Sequence, residues 1–142
     1  MRKLFGTDGV RGVAGEPPLD RATLGRLGRA LVASLKESGG PPAPRVSIGR
    51  DTRESCPEIV DALAAGIVAE GGAAADVGVV PTPGLALLTR EGGFDAGLMV
   101  SASHNPFHDN GVKVFDATGS KLPDASESTL EAWIGRLDPV SY

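Results

Sequence analysis

A serine-rich loop between two apolar runs holds most of the residues in this chain that could do chemistry. Ser101-Ala102-Ser103-His104-Asn105-Pro106 supplies two hydroxyls, an imidazole and an amide, and Pro106 stops regular structure. Lys113 adds an ammonium downstream, and Arg11 could join if the amino-terminal loop folds onto the same place. A serine is a poor nucleophile until a base or a neighbouring charge activates it. Acyl transfer would use Ser103 with a histidine as base. Yet no Gly-x-Ser-x-Gly elbow surrounds Ser103, and His104, adjacent in sequence, tends to turn its ring away from it. Phosphoryl transfer asks mainly for positioning and charge stabilisation. Lys113 and Arg11 are suitable cations, Arg11 in bidentate fashion. In Phe5-Gly6-Thr7-Asp8-Gly9-Val10-Arg11-Gly12, glycines would let backbone N–H groups approach phosphate oxygens. A flexible turn leading into a strand is the plainer reading of that stretch. The balance leans towards phosphate, with both chemistries open.

These residues need elements to position them. Asp95 to Val100 is a short apolar run suited to a strand buried on both faces. The serine-rich loop follows its carboxyl end, where ligands bind in open α/β sheets. Asn110-Gly111 reads as a turn pair with a positive-φ position, making a hairpin with a strand over Val112 to Phe115. Asp20 to Ser38 predicts a helix with Leu24, Leu27, Leu31 and Leu35 on one stripe. Arg21, Arg26, Arg29 and Lys36 fall mostly off that stripe, as a solvated face. Gly39-Gly40 and the prolines after it end this helix. Arg45 to Ile48 predicts a strand, and the Arg and Asp of Gly49-Arg50-Asp51-Thr52-Arg53 would tie down the following turn. Ser55-Cys56-Pro57-Glu58 fits a capping box for a helix whose apolar face holds Ile59, Val60, Leu63, Ala64, Ile67 and Val68. Ala73 to Val80 is a further strand, and Thr82 would cap a short helix. Asp124 and Glu127 would cap a last one bearing Leu130, Trp133, Ile134 and Leu137, with Trp133 as packing. Repeated βα units predict a three-layer α/β/α domain with a mixed, mostly parallel sheet of about four main strands.

Composition excludes several classes of function. A net charge of -4 over 142 residues gives no basic field for nucleic acid or anionic membrane. Cys56, the lone cysteine, rules out a disulfide within the chain and a multi-cysteine metal site, and suits a reducing compartment. Met1-Arg2-Lys3 is followed by Gly6-Thr7-Asp8-Gly9 instead of a signal-peptide apolar region. No apolar run approaches the roughly 20 residues of a membrane helix. The expectation is a soluble cytoplasmic domain.

With those residues in view, Gly97 to Pro106 resembles the active-site signature of the α-D-phosphohexomutases, with Asn110-Gly111-Val112-Lys113 in the matching place downstream. Phe5 to Gly12 and Gly49 to Arg53 resemble the branch that works on phosphorylated hexosamines. The resemblance implies that Ser103 is carried as phosphoserine and hands its phosphoryl group to the sugar, giving a bisphosphate that reorients and returns the other phosphate. The reaction implied is glucosamine 6-phosphate to glucosamine 1-phosphate, feeding amino-sugar nucleotide and cell-wall precursor synthesis. It implies one Mg²⁺ held partly by the phosphorylated Ser103 and partly by a loop of a later domain. Arg11 and Lys113 match positions that contact phosphate or assist proton transfer. His104 matches a supporting or proton-handling histidine. Asn105 would lie on the phosphate side while shaping the loop with Pro106, and His108 reads as an ordinary exposed histidine. The family has four domains, and residues 1–142 resemble the first alone, so the remaining domains are implied partners. No Asp-x-Asp-x-Asp run occurs here, and the domain alone is expected to be inactive. A phosphoglucomutase or phosphomannomutase, a non-catalytic phosphosugar-binding domain and a serine hydrolase are the alternatives.

Overall fold

Amphipathic helices alternate with short strands, and the strands form one sheet. The computed structural model describes residues 4–6 and 9–141. In chain order the elements are β1 (Val10–Val13), α1 (Arg21–Glu37), β2 (Arg45–Arg50), α2 (Cys56–Ala69) and β3 (Ala73–Val79). They continue with α3 (Thr82–Glu91), β4 (Ala96–Val100), β5 (Asp109–Asp116) and α4 (Asp124–Arg136). The sheet order is β1-β5-β4-β2-β3. β2 runs parallel to both β3 and β4, while β5 is antiparallel to β4 and to β1. The expected α/β fold with a mixed sheet is present, with five strands instead of about four. β1, the strand expected after the amino-terminal turn, completes the five, pairing Val10 to Val13 with Val112 to Asp109 at the sheet edge.

Alternation along the strands divides the core between the two faces. Val46, Ile48, Leu98, Val100, Val112 and Val114 pack against Leu24, Leu27, Leu31, Ile59, Leu63, Ile67 and Leu130 of α1, α2 and α4. On the other face α3 covers a smaller cluster of Leu85, Met99 and Phe115. The predicted leucine stripe of α1 is thus buried, with Leu35 at its partly buried end. Its charged residues are not simply solvated. Arg26 Nε donates to the Leu137 carbonyl at 3.2 Å. Arg29 bonds Glu70 at 2.8 Å and the Asp138 carbonyl at 2.6 Å, and Lys36 reaches the Glu70 carbonyl at 2.6 Å. Because α1 packs between α2 and α4, its flanking charges meet their neighbours' ends.

Five local expectations give way to tertiary structure. Ser55 sits in helical backbone and makes no side-chain cap bond; its hydroxyl instead accepts from Asn110 Nδ2 at 2.8 Å. Thr82 and Asp124 are the first residues inside their helices, entered from extended Pro81 and Pro123, and Glu127 turns to Lys121 at 3.7 Å. Val68 is 62% exposed, off the face that α1 covers. Asn110 and Gly111 do not turn; both lie buried inside β5, Gly111 opposite Arg11. The reversal between β4 and β5 is made by residues 101–108, so the serine-rich loop is itself the hairpin connection.

Contact between α1 and α2 requires glycine. A Cβ on Gly66 would collide with the Gly25 carbonyl oxygen, and one on Gly28 with the Leu63 carbonyl oxygen. Alanine at position 66 would gain about 1 kcal/mol of helix propensity. Overpacking against backbone costs about 1–3 kcal/mol, so the collision should win. Gly66→Ala is expected to lower the urea midpoint of this chain with an unchanged denaturant slope, and a raised midpoint would contradict the close approach.

Candidate functional site

β2 and β4 lie side by side and parallel, yet the chain leaves β2 towards β3 on one side and β4 towards β5 on the other. Their carboxyl ends therefore open a crevice at a topological switch point. Ladder-like bonds continue past the strands: Asp51 N–H donates to the Val100 carbonyl at 3.1 Å and Ser101 N–H to that of Gly111 at 3.0 Å. Ala14 N–H, just past β1, donates to the His108 carbonyl at 3.1 Å. Leu4 and Phe5, at the start of the amino-terminal stretch, are held rather than loose. Phe5 is buried, and the backbone N–H groups of Leu4 and Phe5 both donate to Glu131 Oε1 at 2.9 Å. Thr7 and Asp8 of that stretch lie outside the described residues.

Ser103 sits on the crown of the 101–108 loop with φ 55°, the one non-glycine positive φ among the described residues. Such backbone costs of order 1–3 kcal/mol and persists where surrounding bonds over-determine it. Here the Ser103 N–H donates to Ser101 Oγ at 3.1 Å, and the Ser101 hydroxyl donates to Asp51 Oδ2 at 2.8 Å. Arg53 pairs with the same carboxylate and donates through NH2 to the carbonyls of Ser103 at 3.1 Å and Asn105 at 2.8 Å. The two loop serines therefore differ in what they can do. Ser101 is buried and its hydroxyl is spent on the scaffold, whereas the Ser103 side chain is on the exposed part of the loop.

Asp51 is the electrostatic centre of this scaffold. Its burial alone would raise its pKa. The Arg53 backbone N–H, the Ser101 hydroxyl, the Cys56 thiol and the Arg53 charge outweigh that and hold it below the usual carboxylate range. Cys56 moves the other way, pushed up chiefly by burial. It donates to Asp51 Oδ1 at 3.2 Å and accepts from Asn110 Nδ2 at 3.4 Å, as a packed thiol rather than a reactive one. Asn110 also accepts from the Gly111 N–H at 2.9 Å, so a buried amide fastens β5 to the start of α2.

The other expected site residues gather around the loop. Arg11 reaches it from β1, donating through NH1 to Asn105 Oδ1 at 3.3 Å and to the Ala102 carbonyl at 3.4 Å. Both bonds are long, and Arg11 Nε has no acceptor among the described residues. Lys113 is half-buried on β5, opposite Met99 and two residues from Gly111, Arg11's partner, so both cations share the α3 face of the sheet. His104 is exposed on the loop. Asn105 is anchored by Arg11 and by Asp109, which accepts from its Nδ2 at 3.4 Å. His108 is an exposed loop histidine, as read from the sequence, 3.5 Å from Asp109. What the sequence did not show was that Asp51 and Arg53 reach the serine loop. The signal was their place, directly past the carboxyl end of a strand.

Among the described residues no group of three or more His, Cys, Asp or Glu side chains is gathered to hold a metal ion. Of the carboxylates bonded to this loop, Asp51 is already committed to Arg53, Ser101 and Cys56, and Asp109 faces Asn105 and His108. These side chains do not by themselves fit a Mg²⁺ ion, which asks for near-octahedral oxygen ligands.

A carboxyl group with a depressed folded pKa adds stability that is present above its unfolded pKa of about 3.9 and lost as pH falls through the folded value. Asp51→Asn should therefore be less stable than wild type at pH 7 by about 1–3 kcal/mol, the cost of stranding part-buried partners. The difference should shrink below about pH 4. Urea midpoints at several pH values check this, and a pH-independent difference would contradict it.

The domain I family model of the phosphoglucomutase/phosphomannomutase group, an alpha/beta/alpha domain, matches residues 2–140. The chain is 55% identical over 134 residues to a phosphoglucosamine mutase of Koribacter versatilis (strain Ellin345), covering 94% of this chain and 28% of that protein. It is 49% identical over 136 residues to a phosphoglucosamine mutase of Solibacter usitatus (strain Ellin6076), covering 96% and 30%. A crystal structure of a phosphoglucomutase/phosphomannomutase family protein from Burkholderia thailandensis matches with a TM-score of 0.80 and 33% identity, over 97% of this chain and 31% of that one. The chain thus spans under a third of the length of these relatives. From its sheet, its strand-end serine loop and these matches, the chain belongs to the phosphoglucomutase/phosphomannomutase family, as its alpha/beta/alpha domain I.

Proposed function

We propose that this domain carries the phosphoryl group of a phosphoglucosamine mutase, with Ser103 as the phosphorylated residue. The observation that supports this most is Ser103 itself, a serine in strained backbone on an exposed loop at the switch point, with Arg11 beside it. In the proposed step the Ser103 Oγ–P bond breaks as a sugar hydroxyl oxygen bonds to phosphorus, and the hydroxyl proton passes to a protein base. The resulting hexosamine bisphosphate reorients and returns its other phosphate to Ser103. A phosphoserine brings about −1.5 to −2 charge at pH 7. Arg11, whose present bonds are long, is free to strengthen on those oxygens. Lys113 is the candidate for proton transfer and for neutralising the moving phosphoryl group, His104 a supporting group on the serine loop, and Asn105 a phosphate-side loop residue that holds Arg11. Mg²⁺ belongs to this reading through the oxygens of a phosphorylated Ser103, with its other ligands from chain outside these residues. When bound it would supply charge stabilisation to the phosphoryl group; no step is derived through it. The substrate is a phosphorylated hexosamine, the setting is cytoplasmic, and no helix among the described residues is long and apolar enough to cross a membrane. Specificity for the amino sugar rests on the named relatives at 55% and 49% identity. The family description also covers phosphoglucomutase and phosphomannomutase, which rates on the three hexose phosphates would separate.

In the full-length parent enzyme, Ser103→Ala should abolish both the phosphoryl group found by intact mass and mutase turnover. Ser101→Ala should keep a phosphorylatable Ser103 at lower rate. Full turnover by Ser103→Ala would remove the proposal, and a parent that binds the phosphosugar with no turnover to lose would favour a non-catalytic binding domain. Lys113→Met is expected to lower kcat by about 10²–10⁴-fold, the range for a general acid–base group, with a smaller change in KM. The 142-residue chain alone should show no turnover of glucosamine 6-phosphate, and normal rates from it would contradict the need for further domains.

A further inference from the structure

Asp51 and Arg53 hold both backbone polar groups of Ser103 through one closed circuit. The circuit runs from the Asp51 carboxylate to the Ser101 hydroxyl at 2.8 Å, and from Ser101 Oγ to the Ser103 N–H at 3.1 Å. It returns from the Ser103 carbonyl to Arg53 NH2 at 3.1 Å, and through the guanidinium back to Asp51. Arg53 NH2 also ties down the Asn105 carbonyl at 2.8 Å, two residues on. The Arg53 side chain is only 11% exposed, while the two carbonyls it bonds belong to the exposed part of the loop. Asp51 fixes the near end of the circuit, since its own N–H is bonded to Val100 at the end of β4 and its carboxylate accepts the Arg53 N–H at 3.0 Å.

We propose that Asp51 and Arg53 are positioning residues for Ser103, an ion pair that imposes the left-handed backbone of this residue and so aims its side chain out of the loop. Arg53 is not a phosphate ligand in this arrangement. Both of its terminal nitrogens are committed, NH1 to Asp51 and NH2 to two carbonyls, and its charge is matched by Asp51. The cations left to meet an incoming phosphate are Arg11 and, on the same face of the sheet, Lys113. Ser101 is the link that makes the clamp two-sided, which explains why a buried serine stands two residues before the exposed one. A lysine in place of Arg53 could keep the charge but not the planar fork that bonds a carboxylate and two carbonyls together.

This proposal rests on the reading of Ser103 as the phosphorylated residue, and the test has one arm that does not depend on that reading. Glycine adopts positive φ without strain, so Ser103→Gly removes what the clamp is needed for. In urea unfolding of the 142-residue chain, Arg53→Lys should lower the folding equilibrium constant about tenfold, within the coupling range of contacting residues. In the Ser103→Gly background the loss should shrink to about threefold or less. An equal loss in both backgrounds would mean that Arg53 merely ties its own turn, and would overturn the clamp. Asp51→Asn provides a second cycle of the same kind should Arg53→Lys not fold. The other arm uses the full-length parent. Arg53→Lys should slow phosphorylation of Ser103 by a hexose 1,6-bisphosphate with Mg²⁺ at least tenfold while leaving the half-saturating bisphosphate concentration within about twofold, the pattern of lost orientation. Wild-type rates in Arg53→Lys would also overturn it. A wild-type parent that takes no phosphoryl group would instead defeat the mutase reading, and the unfolding cycle would then decide the clamp alone.

Discussion

The pairing of β2 with β4 is the constraint on which the site depends. These two strands run parallel in register, Arg50 beside Val100, so the residues that follow them emerge at the same level. That is why Asp51 can bond the end of β4 and accept from Ser101, 50 positions away in sequence. A parallel ladder fixes this alignment along its whole length, because a one-residue slip would turn Val46, Ile48, Leu98 and Val100 out of the core. The cost of mispairing is therefore paid in buried aliphatic surface, far more than the loop bonds could contribute. The polar network at the strand ends inherits its precision from apolar packing beneath it.

On that platform the charges are sorted by distance from the loop backbone. Asp51 and Arg53 neutralise each other inside the scaffold, while Arg11 and Lys113 come from the two antiparallel strands on the α3 face. The antiparallel half of the sheet matters for this reason. β5 returns towards the core directly from the serine loop and carries Lys113 back beneath it, and β1 adds itself to the outer edge of β5 to bring Arg11 across. A purely parallel sheet would have sent the chain after β4 into a helix, with no strand to deliver a cation to the loop that had just left.

Much of this was legible in the sequence because it depends on local periodicity. The leucine stripe of α1, the fully apolar run of β4 and the glycine stops after α1, α2 and α3 are patterns a chain must show to make those elements. The capping sites were misread for a consistent reason: Ser55, Thr82 and Asp124 had the side chains for the role, but their helices begin from extended proline backbone or spend the hydroxyl on a distant partner. Asn110-Gly111 failed similarly. Its two residues have strong turn propensity in isolation, yet a buried Asn110 that bonds Ser55 and Cys56 gains more from staying in the strand. Candidate site residues were found where they carry reactive groups, as with Ser103, His104, Arg11 and Lys113. Asp51 and Arg53 were read only as a local pair because nothing in one sequence states which strand will lie beside which.

The unequal covering of the sheet follows from the same topology. Three helices pack on one face, and only the ten residues of α3 on the other. The face with the larger core holds the register, so the face with the smaller one can carry polar and charged groups at a tolerable cost. Gly97 and Gly111 sit there in β4 and β5, leaving room beside Ser47, Thr89 and the Arg11 stem that any larger side chain would fill. Burying Lys113 fully would require a matched carboxylate. Lys113 is instead half-buried on the thinly covered face. Stability and the candidate chemistry are thus divided between the two sides of one sheet, and the loop at its edge is where the two sides meet.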